Sequence, residues 1–202
     1  MIFRFLSSVP IFGDIFRILN SYAYHGDSRA EYSFANLLKW IMAFGVEVSL
    51  AVGAALFCMP KLTNQWLPCD FYLQYSVAIE PGILATGILP NLLGFGIGVY
   101  ALIFGLNKLL LRELQDIYVK NAQIKEKSSG SVLVLNAEMA VPLLILVIAI
   151  AFGVVQQILT ESCVIKFLTW SFFWLSIIFV IELISTLYGL GENVILKKIG
   201  RA

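Results

Sequence analysis

GILPNLLGFGIGVYALIFGL, residues Gly87 to Leu106, carries no charge, contains five glycines and holds the pair Pro90-Asn91 near its start. At about 1.5 Å rise per residue, a helix of roughly 20 residues crosses the ~30 Å hydrocarbon layer of a bilayer. A surface helix of a soluble protein would show a polar face over that length. The stretch shows none, so it reads as part of a membrane span.

The rest of the chain repeats the pattern. No charge occurs between Glu80 and Lys108 or between Glu138 and Glu161. The run from Lys39 to Lys61 holds only Glu47, and the run from Lys166 to Glu192 only Glu182. Of the 202 residues, 13% are charged and 59% hydrophobic, where soluble domains carry about 25% charged residues. The mean hydropathy is +0.87. The expected fold is an all-α membrane protein with four transmembrane helices, at about 38–59, 81–108, 138–159 and 167–190. They make up a membrane domain over 36–198, preceded by an arm over 1–35 and interrupted by a helical stalk over 109–131 that extends the second span.

Arg4 interrupts the apolar start, and Pro10, Asp14 and Arg17 follow without a small-residue cleavage site, so the start does not read as a cleaved signal peptide. At helical spacing Phe5, Val9, Phe12, Phe16 and Leu19 form one apolar stripe, with Arg4, Asp14, Arg17 and Asn20 off it. This predicts an amphipathic helix lying in the membrane interface.

Basic residues in short loops stay on the cytoplasmic side. The arm holds Arg4, Arg17, Arg29 and Lys39; the loop between spans two and three holds Lys108, Arg112, Lys120, Lys125 and Lys127; the tail holds Lys197, Lys198 and Arg201. The other two loops hold Lys61 and Lys166, a division of twelve against two. Both termini and the middle loop are therefore expected in the cytoplasm, and the chain in a bacterial inner membrane. Trp40 and Tyr188 then fall near the inner interface, and Trp66, Tyr72, Tyr75, Trp170 and Trp174 near the outer one, as aromatic belts. The stalk, KLLLRELQDIYVKNAQIKEK from Lys108 to Lys127, has Leu110, Leu114, Ile117 and Ile124 on one side before the Ser128–Ser131 break. That side calls for a cover: a neighbouring protomer, the arm, or a cytoplasmic protein docking on 108–131 or on the arm.

The GFG within the quoted stretch is not a potassium filter, because such a filter needs a re-entrant loop and the glycines here sit inside a continuous apolar run. Gly87, Asn91, Gly94 and Gly98 instead recur at helical spacing, and span one shows Gly45, Ser49 and Gly53. Lipid gives helices no hydrophobic reason to associate, so small residues that permit close packing mark interior or inter-protomer faces. Spans one and two are expected on those faces, and the bulky third span, PLLILVIAIAF, is expected to face lipid. Pro90 removes a backbone hydrogen bond and Asn91 can satisfy a freed carbonyl or bond across to another helix, which gives either a plain packing kink or a loose outer third that forms a hinge or, at Asn91, an ion or proton site.

Glu47 and Glu182 are acids inside spans, each placed about eight residues from the inner end. A charge there costs ~2.5–3.5 kcal/mol on insertion scales. Two readings stay open: a cation or proton route, or protonated acids that hydrogen-bond helices together. Cys58, Cys69 and Cys163 fall at the outer face, where a Cys69–Cys163 disulfide is favoured over Cys58–Cys69.

There is no P-loop, HExxH, CxxC, GxSxG or dinucleotide fingerprint, and the single histidine, His25, sits in a turn-like YHGD. No enzyme activity, metal, cofactor or direct nucleic-acid contact is expected. In size, span number and lack of enzymatic motifs the chain resembles the small four-span membrane proteins of bacterial anti-phage systems, such as the membrane subunit of the Kiwa system. No residue motif carries the resemblance, and no site residues transfer. It implies a homo-oligomer in the inner membrane working with a cytoplasmic partner that acts on phage DNA processes. The expected function is a membrane subunit that senses envelope perturbation; the alternative is a cation or proton pore or small secondary transporter using Glu47 and Glu182.

Overall fold

A computed structural model describes residues 10, 12–24, 30, 32–59, 79–104, 112, 115, 116 and 133–199. Among them there are helices and no strands: α1 (Phe12–Ala23), α2 (Leu37–Phe57), α3 (Pro81–Phe104), α4 (Leu133–Ile158) and α5 (Cys163–Ile199). Helices α2 to α5 are each long and apolar enough to cross a membrane, so by length and composition this is a multi-pass membrane protein. The stalk lies outside the described residues except for positions 112, 115 and 116, which are helical.

Polar residues set the helix starts. The Asn36 side chain accepts from Lys39 N–H at 3.1 Å at the head of α2, and Ser162 does so from Ile165 N–H at 3.4 Å at the head of α5. Both satisfy amides that a first turn leaves without partners. Helix α3 begins with Pro81, whose missing N–H costs nothing at a first helical position. The helix is unbroken through Pro90, so the expected loose outer third is not found. Helix α4 starts at Leu133, upstream of the expected 138, and thereby takes Glu138 into the helix. Helix α5 has 37 residues and continues to Ile199, past the expected 190.

The chain divides into two compact units, 1–44 with 98–142 and 181–202, and 45–97 with 143–180. In the first, Leu135, Met139 and Leu183 form a core packed by Val99, Tyr100, Leu187 and Leu190. In the second, Ala55, Ala85, Leu89, Leu146, Ala149, Trp170 and Phe173 are buried together. Trp170 is thus buried in the core of its unit.

The expected burial of the spans is reversed. The buried share is 17% for α2 and 22% for α3, against 39% for α4 and 33% for α5. Helix α4, expected to face lipid, buries Met139, Val141, Leu146 and Ala149 almost completely. A Cβ built on Gly53, Gly87, Gly94 or Gly98 meets nothing within 4 Å among the described residues, so these small residues face away from the described parts of their own protomer. The expected packing of this line in the interior of one protomer is not found among the described residues. The close helix contact lies elsewhere. A Cβ on Gly82 would run into Gln156 and lie 2.7 Å from the Gly153 carbonyl, and one on Gly153 would lie 2.7 Å from the Ala85 Cβ.

Candidate functional site

Two polar clusters stand out, one in each unit. In the first unit the Tyr22 hydroxyl at the C-terminal end of α1 donates to Glu182 Oε1 on α5 at 2.6 Å. That length falls within the range of charge-assisted O–H···O contacts. Glu138 of α4 and Glu182 of α5 each adjoin in sequence a residue of this unit's core, Met139 and Leu183. The Tyr22 ring packs on Phe44 at 5.0 Å, Phe44 on Trp40 at 5.6 Å and Trp40 on Phe34 at 5.5 Å. A line of aromatic rings therefore runs from the connector before α2 to the Glu182 carboxyl.

Asn20, about half a turn of helix from Tyr22, is fully buried and fixes the chain between α1 and α2. Its Nδ2 donates to the carbonyls of Ala30 and Ser33, both at 2.9 Å, and its Oδ1 accepts from Ala35 N–H at 2.9 Å. Tyr24 adds a 2.8 Å contact with the Ser33 hydroxyl, and Lys39 Nζ lies 3.8 Å above the Tyr24 ring. The buried residues of α1 are Gly13, Asn20, Tyr22 and Ala23, while Phe12 is exposed. Of the expected stripe, Phe5 and Val9 lie outside the described residues, Phe12 is exposed and Phe16 and Leu19 are half-buried, while Asn20, expected off the stripe, is buried.

In the second unit Glu80, just before α3, accepts from Lys166 Nζ at 2.6 Å and from Gln156 Nε2 at 3.0 Å. Gln156 Oε1 in turn accepts from Gly82 N–H at 2.9 Å. Gln157 Nε2 reaches the Gly82 carbonyl at 3.0 Å and Thr86 Oγ1 at 2.8 Å. The missing side chain of Gly82 lets Gln156 approach the backbone of α3. This cluster ties the heads of α3 and α5 to the end of α4 and reads as a structural clamp.

Of the residues singled out from sequence, Glu182 occupies a bonded site and Glu47 lies elsewhere. Glu47 is half-buried in the second unit, and its Oε2 is buried with no hydrogen-bond partner among the described residues. Asn91 and Pro90 are exposed on α3, Gly45 is half-buried and Ser49 exposed on α2. Cys163 is an exposed free thiol, Cys58 is also free, and Cys69 lies outside the described residues, so the expected bridge gains no support. No group of three or more metal-ligating side chains occurs among the described residues. Sequence reasoning missed Tyr22, Asn20, Glu138 and the glutamines. The adjacent Gln156 and Gln157 at the end of an apolar run carried a usable signal, because polar groups at membrane depth need partners.

Compared with models of known families, with curated proteins and with solved structures, the chain matches none.

Proposed function

We propose that this chain is a multi-pass inner-membrane subunit, with both termini cytoplasmic, that responds to disturbance of the envelope and passes the change to a cytoplasmic partner. Anti-phage defence is the setting its layout resembles. The observation that supports this reading is the Tyr22–Glu182 hydrogen bond, which links the N-terminal helix to an acid inside a candidate span. Such a link gives a change among the spans a direct route to the arm. The subunit works as a homo-oligomer, its open Gly94 and Gly98 line offering the small-residue face that helix association in lipid uses. The test is purification of the tagged full chain from its host in mild detergent, with size by light scattering and associated proteins by mass spectrometry. A stoichiometric soluble partner on a defined oligomer is expected; a partnerless protein overturns the reading.

One observation favours a second reading, a proton or cation path. The Oε2 of Glu47, buried with no hydrogen-bond partner among the described residues, sits within the apolar part of α2, past Lys39, where an acid is costly without an ion or proton to compensate it. In proteoliposomes a path through Glu47 is lost in Glu47→Gln, whereas the signalling subunit shows no flux in either form.

A further inference from the structure

We propose that Asn91 is the centre of a self-association site: two copies of this chain, related by a two-fold axis along the membrane normal, bring their α3 helices together and pair their Asn91 amides. The inference rests on the homo-oligomer reading above and gives that association its face, its symmetry and its polar contact.

Two observations meet at this residue, depth and exposure. Asn91 stands ten residues past Pro81 on α3. At about 1.5 Å per residue that is roughly 15 Å, the middle of a ~30 Å hydrocarbon layer. Its side chain is exposed and carries no hydrogen bond among the described residues. The other polar side chains of α3 are bonded. Thr86 Oγ1 donates to the Gly82 carbonyl and accepts from Gln157, and the Tyr100 hydroxyl donates to Asn136. A primary amide has two N–H donors and a carbonyl with two lone pairs. Lipid tails offer no partner to any of these, and an amide left unsatisfied in an apolar medium is costly. Exposed Ile88, Phe95 and Ile97 on the same helix are at home in lipid; Asn91 is not.

The amide is donor and acceptor at once, so its simplest complement is another copy of itself. A two-fold contact sets a residue on the axis opposite the same residue of the second copy. One N–H···O=C bond then runs in each direction. The surface around Asn91 permits that approach. Gly87 lies four residues before it, and Gly94 and Gly98 three and seven after it, on one side of the helix. A Cβ on any of the three meets nothing within 4 Å among the described residues. Small residues at this spacing let two helix backbones close in lipid, and side-chain amides then bond across the contact. A helix of another protein would need an amide of its own at this depth, whereas a second copy brings one there by symmetry.

The experiment uses the full chain, with Cys58, Cys69 and Cys163 replaced by serine, in membranes of its host. Asn91→Cys and, as a control off the glycine line, Ile97→Cys are oxidised with copper phenanthroline. Both positions are exposed, so neither change disturbs the packing of the protomer. Asn91→Cys is expected to give a disulfide-linked dimer and Ile97→Cys none. In lipid vesicles, energy transfer between labelled copies is expected to show a dissociation constant about tenfold higher for Asn91→Leu, the factor that ~1.4 kcal/mol produces, with Asn91→Gln between the two. Cross-linking at 91 and 97 alike, to a different protein, or not at all overturns the Asn91 pairing, and so does an unchanged dissociation constant for Asn91→Leu. Light scattering on the unsubstituted chain separates this inference from the reading it rests on. A defined oligomer with no cross-link at 91 removes this face and keeps the homo-oligomer; a monomer removes both.

Discussion

At the scale of single residues, the side chain that matters most to the N-terminal region is Asn20. It is fully buried, and its amide replaces the backbone partners that the chain from Ala30 to Ala35 lacks. Asn20→Ala leaves two carbonyls and one N–H without that partner, at a cost on the order of 1–3 kcal/mol for buried groups. The Ala35 amide, which donates to Asn20 Oδ1, is expected to exchange its hydrogen at least tenfold faster in the variant. Unchanged protection at Ala35 means that another group holds it. The sequence singled out Glu182 because a charge inside an apolar run is visible in one dimension. Its donor was not visible: Tyr22 lies 160 positions away, and no spacing rule connects residues on separate helices. Glu138 was hidden differently. Being charged, it marked the edge of a span, whereas helix α4 begins five residues earlier, at Leu133, and carries it inside.

At the scale of the helix, the four long apolar elements were legible to within a few residues at most ends, since length and absence of charge decide them. Which side of each helix turns inward was not legible. In water an apolar face points to the core, but lipid tails are as apolar as Leu, so hydrophobicity cannot separate inside from outside. Bulk was a poor substitute: α4 packs its large residues against neighbours, while the glycine line of α3 is open. Two sets of glycines can now be told apart by experiment. Gly153→Ala places a methyl 2.7 Å from the Ala85 Cβ, which cannot move without its backbone. The helices must separate, and overpacking of this kind costs about 1–3 kcal/mol. Gly94→Ala meets nothing within 4 Å, so the protomer keeps its stability and only an association through that face weakens. Thermal unfolding in detergent together with light scattering is expected to show a lowered midpoint for Gly153→Ala. For Gly94→Ala it is expected to show an unchanged midpoint and a smaller particle. A lowered midpoint for Gly94→Ala means that the α3 line is buried within one chain.

At the scale of the whole molecule, orientation rests on charge. Twelve of the fourteen Lys and Arg residues lie in the segments assigned to the cytoplasm, and such bias in short loops sets which side they stay on. Four candidate spans then put Cys163, at the head of α5, on the opposite face from Arg112. Cys163 is exposed and its thiol is free, which makes it a native probe. With Cys58 and Cys69 replaced by serine, a membrane-impermeant maleimide added to cells with a permeabilised outer membrane is expected to label Cys163 within minutes. A second chain, with Cys163 also replaced and Arg112→Cys introduced, is expected to react only after the inner membrane is lysed. Arg112 suits this use because it is exposed and outside the spans. The reverse pattern inverts the topology and removes the stalk and both termini from the cytoplasm. The proposed partner would then have to act from the other side of the membrane. Equal labelling of both positions in intact cells puts them on one face of the membrane, and so removes α4, the candidate span between them, as a crossing. The charge bias and the span count are independent features of the chain, and labelling at these two positions tests them together.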